Sequence, residues 1–166
     1  MPVKQKAIGE AVELSRVTEK QYAAICFRHV PGSDDPIQVL LITCPDTGRW
    51  IIPKGRSISG AKPHEVVQRV AWDVAGIKGR SRAKPCGYYT YRTQLGQDGS
   101  KMSVVQVHLL NVMKLDREFP QKGRSELRWF SVAAAAATVC EPDLKWLIAN
   151  IREPVNQFLS LGQNIW

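Results

Sequence analysis

The chain has 166 residues, a length that suits one domain with one hydrophobic core. Hydrophobic residues make up 44% and charged residues 23%, which is ordinary globular composition and excludes a disordered chain. The formal net charge of +8 predicts a surface that attracts anions, and nucleotides, polyphosphates, nucleic acids and anionic membranes all fit that charge.

The N-terminal segment predicts neither a secretory signal nor a membrane anchor. Residues 1–20 are polar, and no stretch approaches the roughly 20 apolar residues that a spanning helix needs. The four cysteines lack the spacing of a metal or redox motif, which favours reduced thiols. We therefore expect a cytoplasmic protein with a polar tail at residues 1–20 and a single domain at residues 21–160.

The predicted elements begin with three strands and a helix. The strands are expected at Gln21–His29, Ile37–Thr43 and Trp50–Ile52, separated by turns rich in Pro, Gly and Asp. A basic loop at Pro53–Lys62 then leads into a helix at Pro63–Ala75. Pro63 suits a first helical position and Gly76 a C-terminal stop.

The second half of the chain predicts a hairpin followed by a strand and helices. The hairpin strands are expected at Tyr88–Gln94 and Val104–Val112, and the last strand at Glu126–Phe130. Ser131 suits the N-cap of an alanine-rich helix. Asp143 begins a last helix. Pro154 either kinks that helix or begins a further one. This order predicts an α+β fold rather than a regular βαβ succession.

The segment from Trp50 to Ile77, WIIPKGRSISGAKPHEVVQRVAWDVAGI, resembles the Nudix box, the signature of pyrophosphohydrolases acting on nucleoside diphosphates linked to another moiety. The lead-in Trp-x-x-Pro-Lys-Gly matches up to Gly55, and Arg69 and Gly76 follow at the spacing of the signature without a gap. The resemblance covers roughly residues 20–150. It implies the Nudix fold, an α/β/α sandwich with a mixed sheet between helices.

Within that superfamily, the chain looks closest to the branch that cleaves diphosphoinositol polyphosphates and dinucleoside polyphosphates. The similarity lies in a first strand at Tyr22–Arg28, the sequence PKGR at Pro53–Arg56 and the sequence ELRWFSV at Glu126–Val132. The resemblance implies a phosphate-rich small molecule as the ligand.

Most acidic positions of the signature carry other residues here. Ala61, Val70 and Val74 stand where the family has Glu, and Asp73 is the one acid that remains. Positions 70, 73 and 74 share one face of a helix, where the family holds Mg²⁺, an ion that prefers oxygen ligands. One carboxylate between two valines is a poor magnesium site. We therefore expect hydrolysis to be weak or lost, with Mg²⁺ or Mn²⁺ needed only if the protein is active.

The resemblance also implies the candidate site residues. They are Asp73 as metal ligand and catalytic residue, Arg69 and Glu126 as further catalytic residues, and Lys54, Gly55, Arg56 and Lys62 as substrate-binding residues. Arg69 orients a neighbouring Glu in the family, and here it has Asp73 or Glu65 at a spacing of four. In some relatives an acidic residue near Glu126 helps the metal or acts as base, and an ordinary loop Glu is the alternative.

Three functions remain open from the sequence. One is a metal-dependent pyrophosphohydrolase with a reduced ligand set, and another is a non-catalytic module that binds a polyphosphate ligand or an anionic partner. The third, ranked last, is nucleic-acid binding, which rests on charge alone because no recognised motif accompanies it. We expect no membrane association, and the oligomeric state stays open. Tyr89 and Tyr91 share a strand face and either stack on a ring or pack in the core.

Overall fold

The computed structural model describes residues 18–163, which form one mixed sheet with helices on both faces. The strands are β1 (Thr18–His29), β2 (Ile37–Thr43), β3 (Trp50–Ile51), β4 (Lys54–Arg56), β5 (Ile77–Ser81), β6 (Gly87–Gln94), β7 (Ser100–Leu115) and β8 (Leu127–Ser131). The helices are α1 (Pro63–Ala75), α2 (Val132–Thr138), α3 (Pro142–Ala149) and α4 (Arg152–Gln163). The expected α+β fold with a mixed sheet is confirmed.

The long strand β7 pairs with three other strands of the sheet. It pairs in parallel with β1, from Thr18 opposite Met102 to Phe27 opposite Asn111. On its other side β6 and β5 pair with it in antiparallel fashion, one after the other along its length. β2 pairs antiparallel with β1, and β8 pairs antiparallel with β2. One parallel pair among antiparallel ones makes the sheet mixed.

The strands β1 and β2 diverge, and residues 50–56 lie in the gap between them. β2 pairs with β1 only between residues 37–40 and 26–29. Beyond that region β3 pairs with β2, while β4 pairs with β1 at residues 21–23. The sequence predicted a loop at Pro53–Lys62, so the strand at Lys54–Arg56 corrects the first part of that prediction. Its hydrogen bonds to β1 fix the side-chain directions of this basic segment.

Two apolar layers cover the two faces of the sheet. On the α1 face, Val67, Ala71 and Ala75 of α1 pack against strand residues such as Cys26 and Leu40. On the opposite face, which we call the α2–α4 face, the helices contribute Val132, Ala135, Leu144, Ile148, Val155 and Phe158. The α/β/α sandwich is therefore confirmed. Within residues 18–163, no helix is both long and apolar enough to cross a bilayer.

The helix ends follow the local sequence. Pro63 is the first residue of α1, and Gly76 ends it in the left-handed region at φ 68°, with its N–H bonded to the carbonyl of Trp72. Ser131 caps α2, since its hydroxyl accepts a hydrogen bond of 3.1 Å from the N–H of Ala134. These three predictions are confirmed, and Pro154 lies in the first turn of a further helix rather than at a kink.

Several strand boundaries differ from the sequence prediction. β1 begins at Thr18, so residues 18–20 belong to the sheet and not to the predicted polar tail, whose residues 1–17 lie outside the described part. β7 extends the predicted strand at both ends, and β5 was not predicted at all. Each extension arises from pairing with β1, β5 or β6, which are distant in sequence, and local propensity does not encode such pairing.

Candidate functional site

Two of the three α1 positions that carry carboxylates in the Nudix signature hold apolar side chains here, Val70 and Val74. A Cβ atom built on Gly55 would lie 2.7 Å from Cγ2 of Val70, so the side chain of Val70 covers the backbone of β4. Val74 is half-buried and packs against the apolar layer of the α1 face. Both valines therefore serve as packing residues between α1 and the sheet.

Asp73 keeps its carboxylate, and its nearest charged partner is Arg69. The Nε atom of Arg69 lies 3.6 Å from Oδ1 of Asp73, one helical turn away, which selects Asp73 over Glu65 as the partner of Arg69. The Arg69 side chain is 68% exposed and that of Asp73 is 32% exposed, so solvent screens this long contact and weakens it. The carbonyl of Asp73 also accepts a hydrogen bond from the N–H of Gln121, which ties α1 to the connection between β7 and β8.

The residues around Asp73 do not fit a Mg²⁺ site. Between residues 18 and 163 there is no group of three or more His, Cys, Asp or Glu side chains that could hold a metal ion. Mg²⁺ prefers near-octahedral oxygen coordination and is usually held by one or two carboxylates together with phosphates and water. Val70 and Val74 offer no oxygen, so Asp73 has no protein ligand beside it on α1.

Glu126 is held by the end of β2 and by β8. Its N–H donates to Oγ1 of Thr43 over 2.8 Å, and its carboxylate accepts a hydrogen bond of 2.6 Å from Arg128. The guanidinium of Arg128 lies 5.1 Å from the ring centre of Trp50. Glu126 is thus positioned by β-strand contacts and an exposed ion pair with Arg128.

The predicted substrate-binding residues of β4 point to two different faces of the sheet. Gly55 faces Val70 on the α1 side. Lys54 and Arg56 alternate with it and contact residues of the other face. The Nζ atom of Lys54 lies 4.0 Å from the ring centre of Tyr91, and Nε of Arg56 lies 2.5 Å from Oε1 of Glu19. Lys62, exposed, immediately precedes α1.

Three residues that the sequence did not single out lie beside Lys54 and Arg56. Lys101 of β7 pairs with Oε2 of Glu19, so that Glu19 bridges two cations. The hydrogen bond from Lys101 lowers the pKa of Glu19, burial opposes this effect, and the charge of Arg56 reinforces it. Gln21 accepts a hydrogen bond of 2.6 Å from the hydroxyl of Tyr91. The pairing of β7 with β1 brings Lys101 to Glu19 across 82 sequence positions (101 − 19), which no local pattern signals.

A buried polar pair lies on the α1 face of β7. The Nδ1 atom of His108 is 2.8 Å from the carbonyl oxygen of Arg82, and its Nε2 atom is 2.8 Å from Nε2 of Gln106. Because a carbonyl only accepts, Nδ1 carries the proton and the ring is neutral with Nε2 as acceptor. Burial lowers the pKa of His108. The side chain of His108 is fully buried.

Comparison with known proteins identifies the fold. No protein-family model matches the sequence, and no curated protein matches it either. Among solved structures, the Ap4A hydrolase of C. elegans has 15% identity and a TM-score of 0.58, covering 83% of this chain and 98% of its own. The MutT protein of Bacillus halodurans has 18% identity and a TM-score of 0.58, covering 80% of this chain and 81% of its own.

A third structure of this kind is the Nudix domain of Shewanella oneidensis NrtR in complex with ADP ribose. It has 16% identity and a TM-score of 0.55, and the match covers 83% of this chain and 88% of that one. The matches extend over most of each chain, so the chain has the fold of Nudix proteins. The expected Nudix fold is confirmed.

Proposed function

We propose that this Nudix-fold chain is a Nudix protein with a degenerate Nudix box, which binds a small-molecule anion containing a pyrophosphate or polyphosphate group and hydrolyses it weakly or not at all. One observation carries the proposal: Val70 and Val74 fill two carboxylate positions of α1 with apolar packing, and Asp73 alone remains. The similar structures include a protein named as a dinucleoside polyphosphate (Ap4A) hydrolase and a domain bound to ADP ribose, which supports this class of ligand.

The loss of hydrolysis follows from the missing oxygen ligands. Enzymes typically accelerate reactions by about 10⁶-fold or more, and in metal-dependent hydrolysis the bound ion supplies much of the charge stabilisation. A helix face with one carboxylate holds such an ion weakly. Binding, in contrast, needs only complementary charge, which Lys54 and Arg56 on β4 supply. Arg56 can also form forked hydrogen bonds to phosphate oxygens.

Calorimetric titration of Mg²⁺ and Mn²⁺ tests the carboxylate argument. We expect no tight binding by the wild-type chain and measurable binding by Val70→Glu/Val74→Glu, which rebuilds a face of three carboxylates. A matched control is Ala133→Glu/Ala137→Glu, which adds two carboxylates one turn apart on the exposed side of α2. Tight metal binding by the wild-type chain would show that Asp73 has other ligands, and it would favour the enzyme.

Titration of Ap4A, ADP ribose and inorganic tripolyphosphate without divalent metal tests the binding function. We expect at least one of these probes to bind, with an affinity that falls as salt increases. Lys54→Ala/Arg56→Ala should weaken binding about tenfold or more, as expected for two charge-assisted contacts. The control is Arg82→Ala/Arg152→Ala, which removes two cations from a groove of about 700 Å³ beside α4. If the control reduces binding and the β4 variant does not, the ligand binds in that groove and the proposed location is wrong.

The second candidate function is a metal-dependent pyrophosphohydrolase that uses Asp73 and Glu126. It is favoured by the partial exposure of the Asp73 carboxylate, which leaves it accessible to an ion. This function predicts Mg²⁺- or Mn²⁺-dependent release of phosphate from the same probes, abolished in Asp73→Asn and reduced in Glu126→Gln. Turnover by the wild-type chain in the absence of divalent metal would argue against it.

A further inference from the structure

A cluster of charged side chains lies on the α2–α4 face of the sheet, where β4, β1, β7 and β6 are neighbours. It consists of Glu19, Lys54, Arg56, Tyr91 and Lys101, and we call it the Glu19 cluster. Glu19 is the only anion of the cluster and contacts two of its three cations. The Glu19 side chain is 15% exposed, whereas those of Lys101 and Arg56 are 29% and 76% exposed. The cluster thus has an anion at its base and cations at its surface.

A buried hydroxyl group that has no hydrogen-bond partner within the described part of the chain lies in the middle of this cluster. Ser103 of β7 is paired with Glu19 of β1 on one side and with Tyr91 of β6 on the other. Directly opposite residues point to the same face of a sheet, so the side chain of Ser103 lies between those two. Ser103 is 1% exposed, and its Oγ atom has no hydrogen-bond partner among the described residues. Buried hydroxyl groups are normally hydrogen-bonded, and a phosphate oxygen would accept this one.

We propose that Lys54, Arg56 and Lys101 bind the phosphates of a polyphosphate ligand on the sheet face opposite α1, and that Glu19 occupies this site as a counter-anion until the ligand displaces it. The proposal rests on the polyphosphate-binding function above and adds to it the location of the ligand, the residue Lys101 and a preference for several linked phosphates.

The preference follows from the competition with Glu19. The carboxylate of Glu19 stays ionised near neutral pH, because its pKa is lowered by Lys101 and Arg56. A ligand must therefore replace the negative charge of Glu19 before it gains contact with both Arg56 and Lys101. Inorganic phosphate carries between one and two negative charges near neutral pH, whereas tripolyphosphate carries several and spans more than one cation. Hence we expect tripolyphosphate to bind and inorganic phosphate to bind at least about tenfold more weakly.

Calorimetric titration of inorganic tripolyphosphate into the full chain, without divalent metal, tests the role of Glu19. Glu19→Gln removes the competing charge, so the affinity should rise by about threefold to tenfold. The matched control is Glu118→Gln, which removes a carboxylate from the exposed ion pair with Lys122 and should change affinity by less than about twofold. A lower affinity of Glu19→Gln, with an unchanged melting temperature, would show that Glu19 holds the cations in place and would overturn its role as a displaced counter-anion.

The role of Lys101 is tested in the same titration. Lys101→Met keeps the apolar stem and removes the charge, and it should lower the affinity about threefold to tenfold, whereas Lys101→Arg should restore it. If tripolyphosphate binds to the wild-type chain and both Lys101→Met and Glu19→Gln leave its affinity unchanged, the ligand lies elsewhere and this inference is wrong, while the proposed function stands. If the wild-type chain binds none of the phosphate probes and Glu19→Gln binds none either, both the inference and the proposed function fail.

Discussion

Replacing Gly55 by alanine tests the contact between β4 and Val70 of α1. The added Cβ atom would lie 2.7 Å from Cγ2 and 3.6 Å from Cγ1 of Val70. Separations below 3.0 Å force one group to move, and a valine in a helix has one strongly preferred rotamer. The backbone of Gly55 is not in the left-handed region, so the penalty arises from this contact and not from strain of the main chain.

The expected penalty follows from overpacking. Forcing an extra methyl group into a packed interface costs about 1–3 kcal/mol. For a domain of this size, about 1 kcal/mol lowers the melting temperature by roughly 2–4 °C, so Gly55→Ala should lower it by roughly 2–12 °C. Val70→Ala alone should cost about 1 kcal/mol, because it removes two methyl groups from a half-buried site. Thermal and urea unfolding of the wild-type chain, the two single variants and the double variant Gly55→Ala/Val70→Ala measure these penalties.

The double mutant decides whether the penalty has the proposed cause. With alanine at position 70 the clashing atom is absent, so Gly55→Ala should cost less than about 0.5 kcal/mol in that background and the two changes should be coupled by about 1 kcal/mol or more. Equal penalties for Gly55→Ala with valine and with alanine at position 70 would refute the contact, and with it the view that Val70 packs where the signature has a carboxylate.

Three further predictions concern parts of the fold outside the site. Ser131→Ala removes the cap of α2 and should lower the free energy of unfolding by about 1 kcal/mol, measured by urea denaturation; an unchanged value would show that the cap does not stabilise the helix. Because burial lowers the pKa of His108, the unfolded chain binds a proton at a higher pH than the folded chain. The contribution of neutral His108 to the free energy of unfolding is therefore fully present above the unfolded-state pKa of about 6.5 and is lost as the pH drops below it. His108→Gln should make the free energy of unfolding fall less between about pH 7.5 and pH 5, measured by urea denaturation. Iodoacetamide should label the exposed Cys140 of the native protein well before Cys26, whose pKa burial raises, and early labelling of Cys26 in mass spectrometry would contradict its burial.

The sequence predicted the elements that local chemistry determines. The first residue of α1, its glycine end and the cap of α2 all depend on one or two residues, and all three are where the sequence indicated. β5 escaped prediction because its sequence IKGRS lacks a clear alternation and contains Gly79. A Cβ atom on Gly79 would lie 2.1 Å from the carbonyl oxygen of Asn111, so this strand depends on close contact with β7, which is far away in sequence.

The candidate site was predicted less completely for a related reason. The spacing of the Nudix signature selected Gly55, Arg69 and Asp73 as candidates, and the contact of Arg69 with Asp73 follows from helical periodicity. The directions of Lys54 and Arg56 did not follow, because residues 54–56 were interpreted as a loop, and alternation of side chains applies only to a strand. The pairing of β4 with β1 determines those directions, and it is not visible in the sequence.

The separation of Gly55 from Lys54 and Arg56 on opposite faces of β4 leads to a last prediction. If metal would bind on the α1 face and phosphates bind on the α2–α4 face, the two binding events should be nearly independent. Val70→Glu/Val74→Glu should therefore gain metal binding. In the wild-type chain, Mg²⁺ lowers the tripolyphosphate affinity only by complexing the free ligand. The same effect of Mg²⁺ is expected in the variant. Coupling between two ligands is reciprocal, so a shared site would appear as an affinity increase of fivefold or more in the variant alone, on the order of 1 kcal/mol. Such an increase would mean that one ligand contacts both faces around β4, and the double reversion would then be the variant in which to look for restored hydrolysis.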